Sequence, residues 1–230
     1  ALAGWWRLAR GRRTVSSAGR LLVDGWIDEG YAGPAQSAQQ RDSARHMVER
    51  YAGTLDPAVE PLGVERTVGT RTDTIVVTGR IDRLDERRTS GGDRELVVVD
   101  YKTGRRTLCL DDARASLALG LYALAAERVF HARCRRVELH HLPTGEIHAW
   151  EHSDESVSRH VGRAEGIAAE CAAADEQFHA GLAADRVDSV FPPNPGPGCG
   201  WCDYRALCAE GAAAAPARRP WEGLPEANSD

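Results

Sequence analysis

Asp82, Asp100 and Lys102 are the residues whose types and spacing could do chemistry here. They lie in TGRIDRLDERRTSGGDRELVVVDYKTGRR, from Thr78 to Arg106. On a strand Asp100 and Lys102 share a face, because successive side chains alternate. An adjacent antiparallel strand can bring Asp82 beside Asp100. Two carboxylates at one point repel unless a cation sits between them, and oxygen-only ligation suits Mg²⁺ or Mn²⁺. An ammonium beside that ion can hold an attacking water or help deprotonate it, which is the arrangement for metal-assisted phosphodiester hydrolysis. D-x-K alone reads equally as a salt-bridged strand end. The whole order (G-x-x-D-R-x-D, a turn, an apolar run, then D-Y-K-T-G) favours a site.

The chain has 29 Lys plus Arg, and Lys102 is the only lysine. Everywhere else a cation is wanted, Arg serves. A compact ammonium differs from a planar guanidinium that stays protonated, so this position reads as one where Arg fails. Two strands must carry the three residues. Thr74 to Asp85 alternates imperfectly through Ile75, Val77 and Ile81. Arg87 to Arg94 is a polar turn with Gly91-Gly92 at its tip, a hairpin signal. Glu95 to Tyr101 holds Leu96-Val97-Val98-Val99, an apolar run that predicts burial on both faces.

The rest of the chain supplies layers for that hairpin. Trp5, Trp6 and Leu8 belong to an apolar helix. Ser16 or Ser17 caps a helix expected to reach about Glu29, with Leu21, Leu22, Trp26 and Ile27 on its buried side. Gln36 to Ala52 forms another, ended by Gly53. Leu62 to Thr70 reads as a strand, and Glu65 in it could face the metal or be an exposed edge acid. One helix is expected from Asp111 to Phe130, and Tyr122 on it is either a site contact or core. Arg136–Leu142 and Glu146–His152 form a second hairpin. His140, His141, His148 and His152 lack ligand spacing and read as structural or surface histidines. Ser153 to Ala180 is a long Ala-rich helix, expected to pack across the sheet with Cys171 and Phe178 on its apolar side. FPPNPGPG then delivers Cys199, Cys202 and Cys208 in a C-x2-C-x5-C pattern, a soft-metal signal for zinc or an iron–sulfur cluster.

At 230 residues and 42% hydrophobic, the chain can bury one sizeable core with a small appendage. The expected division is a core at 1–190, a cysteine-rich tail at 191–211, and disorder from 212 to 230. A net charge of −5 offers no global attraction to nucleic acid. A local basic surface would have to supply it: Arg83, Arg87, Arg88, Arg94, Arg105 and Arg106 cluster around the proposed site, with Arg87, Arg88, Arg105 and Arg106 the expected DNA contacts. No apolar run reaches membrane-span length and no signal peptide is visible, so no membrane association is expected and a cytoplasmic location is. Six cysteines in such a sequence argue against a disulfide framework.

Asp82, Asp100, Lys102, Thr103 and Gly104 stand where the RecB-type nucleases of the PD-(D/E)xK superfamily have an acid on one strand and D-Y-K-T-G on the next. The chain resembles that family over nearly its whole length. The resemblance implies an α/β fold of restriction-endonuclease-like type, a central mixed β-sheet flanked by helices. It implies Mg²⁺ or Mn²⁺ on Asp82 and Asp100, with the Tyr101 carbonyl as a further ligand and Lys102 orienting the water. It also implies DNA as substrate, exonuclease-type end processing in repair or recombination, and a helicase or other repair subunit as partner. Tyr122 matches the Tyr of a family Gln-x-x-x-Tyr pair, whose Gln position is Ala118 here. Cys199, Cys202 and Cys208 would supply three of four thiolates to a [4Fe–4S] cluster. The fourth cysteine and a first-helix His of G-x-x-x-H type have no match, since Gly19 leads to Val23 and His46 lies on the second helix. Both are expected upstream of Ala1. A different class fits the same features: a cluster-stabilised DNA-binding or docking module of a larger repair complex, with little or no catalysis.

Overall fold

The computed structural model describes residues 1–89 and 91–224. Ser90 of the expected turn and residues 225–230 of the expected disordered tail lie outside the described residues. The chain divides into two compact units, Ala1–Trp26 with Ser43–Ala168, and Ile27–Asp42 with Ala169–Asp230.

The first unit is built on a five-stranded sheet in the order β1-β2-β3-β4-β5. The strands are β1 (Gly63–Arg71), β2 (Val76–Arg88), β3 (Arg94–Lys102), β4 (Arg133–His141) and β5 (Glu146–Glu151). Only the β3–β4 pair is parallel, so the sheet is mixed, as expected. A parallel pair needs a crossover, and helices α4 (Leu110–Ala115) and α5 (Leu117–Phe130) provide it. Glu95 through Val99 are all buried, which bears out the apolar run's reading.

Leu96 and Val98 point into one core with Ile81, Leu84, Leu119, Ala123 and Val137, where α5 packs. A second cluster gathers Leu2, Trp5, Trp6, Val48 and Tyr51 against Val64, Tyr101 and Leu142. These come from α1 (Leu2–Arg7), from the end of α3 (Pro34–Ala52) and from the strands, with α2 (Val15–Asp24) also packed there. The sheet is thus flanked by helices.

Several boundaries differ from the sequence reading, each for a local reason. Thr14, not Ser16 or Ser17, caps α2: its side chain accepts from the Ser17 N–H while the Ser17 hydroxyl accepts from the Thr14 N–H. That helix stops at Asp24, and Ile27 is exposed. The helix expected from Asp111 to Phe130 is broken at Ser116, which is extended (φ −66°, ψ 108°) and caps α5 through the Leu119 N–H. Helix α6 (Asp154–His179) buries Ser156, Val157, His160 and Ala164 near its start. Further along, Ile167 and Phe178 are exposed, and so is Cys171, which is therefore not core.

In the second unit the cysteine tail folds on itself. Short 3-10 turns at Pro197–Trp201 and Arg205–Leu207 precede the helix Ala209–Ala214, and the Arg205 guanidinium donates to the carbonyls of Ala212 and Ala215. Of the stretch expected to be disordered, the described part holds the end of that helix and a 3-10 turn at Pro220–Gly223.

Candidate active site

The β2–β3 ladder runs as far as Arg83 opposite Val99, and one further step in the same register sets Asp82 opposite Asp100. There a side chain replaces backbone pairing: the Tyr101 N–H donates to Asp82 Oδ2 at 2.8 Å. Lys102 Nζ lies 2.7 Å from Asp100 Oδ2. That oxygen is buried and has no aligned hydrogen-bond donor, so the contact is an ion pair with acceptor capacity to spare. Burial pushes the Asp100 carboxyl above the usual range; Lys102 opposes the shift and the Asp82 charge adds to it. The structure therefore brings Asp82, Asp100 and Lys102 together at the end of one strand pair.

β1 extends this row. It pairs Val64 with Arg83 and Arg66 with Ile81, which sets Glu65 opposite Asp82. Glu65 takes the left-handed conformation, φ 51°, inside the strand. A non-glycine residue there costs about 1–3 kcal/mol. Its carboxylate turns to Arg80, with Nε to Oε2 2.8 Å. Glu65, Asp82, Tyr101 and Thr103 line a cavity of about 460 Å³. Among the described residues, however, no group of three or more His, Cys, Asp or Glu side chains is placed to hold a metal ion.

The donors that are present fit a hard divalent cation. Asp82 and Asp100 offer oxygen only, and the buried, unaligned Asp100 Oδ2 is the kind of atom a cation would complete. Mg²⁺ keeps several waters when protein ligands are few. When bound, such an ion would polarise the phosphodiester and acidify a water; Lys102 would orient that water.

Beneath the site lies a network that the sequence reading missed. Arg83 is 6% exposed. Its guanidinium donates to Asp85 Oδ2 (2.9–3.0 Å) and to the Tyr101 hydroxyl (3.1 Å), and it stacks on Trp6, 5.1 Å from the ring centre. Trp6 Nε1 also donates to the Tyr101 hydroxyl, at 3.1 Å. Tyr51 Oη sits 2.6 Å from His140 Nδ1, and His140 Nε2 sits 2.8 Å from Glu138. Burial works against ionising Glu138, but the His140 and Arg136 hydrogen bonds hold its pKa down at about 2. Burial raises both tyrosine hydroxyls, keeping them neutral donors and acceptors. The sequence reading set Arg83 in the basic surface around the site; its burial beside Asp85 and Trp6 takes it out of that surface.

The other expected site residues fall as follows. Tyr122 packs its ring on Gly79 of β2, where an added Cβ would lie 2.2 Å from Cε1, and it borders the main core. Arg87 is held by Glu95 and Glu151, both at 2.7 Å. Arg106 forks onto Asp112 at 2.9 and 3.1 Å. Arg88 donates to the Gly92 carbonyl at 3.1 Å, and Arg105 is an exposed residue of the loop after Lys102. His140, His141 and His152 are buried and hydrogen-bonded, the structural role expected of them.

In the tail, the Cys199 and Cys208 sulfurs both face Gly211, whose added Cβ would lie 3.5 and 3.2 Å from them. The Gly196 and Gly211 N–H groups donate to these two sulfurs. N–H donors to sulfur of this kind fit thiolate ligation at Cys199 and Cys208. Cys202 is exposed, and the three do not form a ligand group.

A mixed sheet with an acid on one strand and D-x-K closing the next defines a nuclease-type fold. A family profile for the PD-(D/E)XK nuclease superfamily matches residues 4–209. The chain belongs to that superfamily, whose members hydrolyse phosphodiesters and usually use divalent metals. None of the curated proteins compared with the chain matches it.

Proposed function

We propose that the chain is a RecB-type DNA nuclease that works from DNA ends, with Mg²⁺ or Mn²⁺ on Asp82 and Asp100 and Lys102 orienting the water. The carrying observation is the joint at Tyr101, whose N–H holds Asp82 while its chain neighbours Asp100 and Lys102 pair at 2.7 Å. The same reading places the protein in cytoplasmic repair or recombination, beside a helicase or similar subunit. It assigns Cys199, Cys202 and Cys208 to a [4Fe–4S] cluster. The Cys199–Cys208 convergence supports that assignment. A docking module without catalysis is the second reading, and the lack of a third acidic or histidine ligand among the described residues favours it.

The deciding experiment is metal-dependent cleavage of end-labelled single- and double-stranded DNA. Lys102→Ala should lower the rate by about 10²–10⁴-fold, the range for a lost proton-transfer group, and Asp100→Ala should abolish cleavage by removing a metal ligand, each with the fold intact. Lys102→Arg should fail as well. A wild type that cuts no DNA with either metal would overturn the nuclease reading in favour of docking, and a Lys102→Ala protein cutting at the wild-type rate would overturn the assignment of the site to Lys102.

A further inference from the structure

We propose that a cavity beside Lys102 is a binding subsite for one nucleobase of the DNA, adjacent to the bond that is cut; it rests on the nuclease reading above. The cavity encloses about 590 Å³, within the size range of pockets that bury a small organic ligand. Its floor is apolar, made by Leu108 and Leu139, both buried, and Ala115, exposed, is a further apolar lining residue. Lys102 and Gly104 form one wall, and Ser116, at the break between α4 and α5, forms the other.

The cavity is built before any ligand arrives. His141, 2% exposed, spends Nε2 on the Gly104 carbonyl and Nδ1 on the Thr144 hydroxyl, each at 2.8 Å. The Leu142 N–H donates to the Lys102 carbonyl at 2.9 Å. These bonds tie the loop after Lys102 to β4 and its turn, so that wall does not collapse onto the floor.

The charges around the cavity are already spent. Asp112 holds Arg106, Asp111 holds Arg114 at 3.0 Å, and Lys102 holds Asp100. Charges paired in this way give a free anion little net attraction. A flat, neutral ring is served better: the apolar floor takes its face, and carboxylate oxygens and the Ser116 hydroxyl meet its polar edge. With the base in the cavity, Lys102 in the wall puts the same nucleotide's phosphate at the D-x-K ammonium. The substrate class is therefore a strand with an unstacked base at the cutting point, as at a frayed or single-stranded end.

The test reads binding without catalysis. Thymidine and deoxyadenosine are titrated against the full chain, without metal, by saturation-transfer NMR. The wild-type protein should bind nucleosides at millimolar concentration. Ala115→Trp and Gly104→Leu each add bulk to the cavity's lining, and each should weaken binding by about tenfold or more. Ala115 is exposed and a Cβ on Gly104 meets nothing within 4 Å, so both variants have room to fold, and their melting temperatures check it. Nucleosides that fail to bind the wild type, or that bind undiminished to a folded filled variant, overturn the proposal. In cleavage, removing the base at one position near the cut should slow the wild type and leave the filled variants unaffected. A wild type that binds nucleosides here yet cuts no DNA with Mg²⁺ or Mn²⁺ sinks the nuclease reading alone.

Discussion

The Tyr101 N–H holds Asp82 Oδ2 at 2.8 Å, while the Tyr101 hydroxyl accepts from Trp6 and Arg83. One residue thus carries the acid of a neighbouring strand on its main chain and is anchored by its side chain in the second core. The placement of Asp82 is set by packing as much as by chemistry. A change far from the carboxylates that rotates Tyr101 will be felt at the site, where small displacements are costly.

Asp100→Asn should abolish cleavage and yet stabilise the protein at neutral pH. Burial raises the Asp100 pKa in the folded state, so the folded protein holds that proton more tightly than the unfolded chain. The wild-type carboxyl favours folding below its unfolded pKa, and that benefit is lost as pH rises through the folded value. The variant's advantage in melting temperature should appear at neutral pH and vanish in acid. A variant equally or less stable than wild type at both pH values would contradict the raised pKa.

Arg83→Met should cost about 3–5 kcal/mol in denaturant titrations, because it strands Asp85 without its partner. Burial already raises the Asp85 carboxyl and Arg83 opposes that rise. The loss should therefore shrink as pH falls and Asp85 protonates. Arg83→Met combined with Asp85→Leu should recover much of the stability at neutral pH.

Gly79→Ala should destabilise by about 1–3 kcal/mol, the usual cost of overpacking. Its new Cβ would lie 2.2 Å from Tyr122 Cε1. Replacing Tyr122 by Leu in the same protein should return part of the loss. Purely additive effects would mean that the two residues do not meet.

Arg87→Gln should leave the salt dependence of DNA binding unchanged but lower stability by about 1–3 kcal/mol, since Glu95 is left buried without its partner. Arg88→Gln should behave the other way. Its described partner is a carbonyl, so its charge is available to phosphate. The slope of log K against log salt on single strands should fall by about 0.7 for that one residue.

The hairpin and its three chemical residues were legible because each local signal agreed: Gly91-Gly92 at the tip, a four-residue apolar run, and an acid on each of the two strands. The break at Ser116 was not, because apolar residues continue across it at helical spacing and mask a capping serine. Cys171 and Phe178 were misplaced because an Ala-rich helix shows no sharp polar face. The ion pairs of Arg87 and Arg106 depend on register and on a loop's return path, which composition does not carry. The left-handed Glu65 was invisible too, since nothing in LGVERTVGT calls for a glycine-like turn.

Lys102 leaves about half its side chain open to solvent (48% exposed) and is the only side-chain amine in the sequence. Amine-selective acylation, which elsewhere scatters over a protein's surface, would here find one side-chain target. The reagent itself becomes an active-site titrant: one acyl group gained on Lys102 should match one site silenced. A phosphodiester seated against that ammonium should shield it from the reagent.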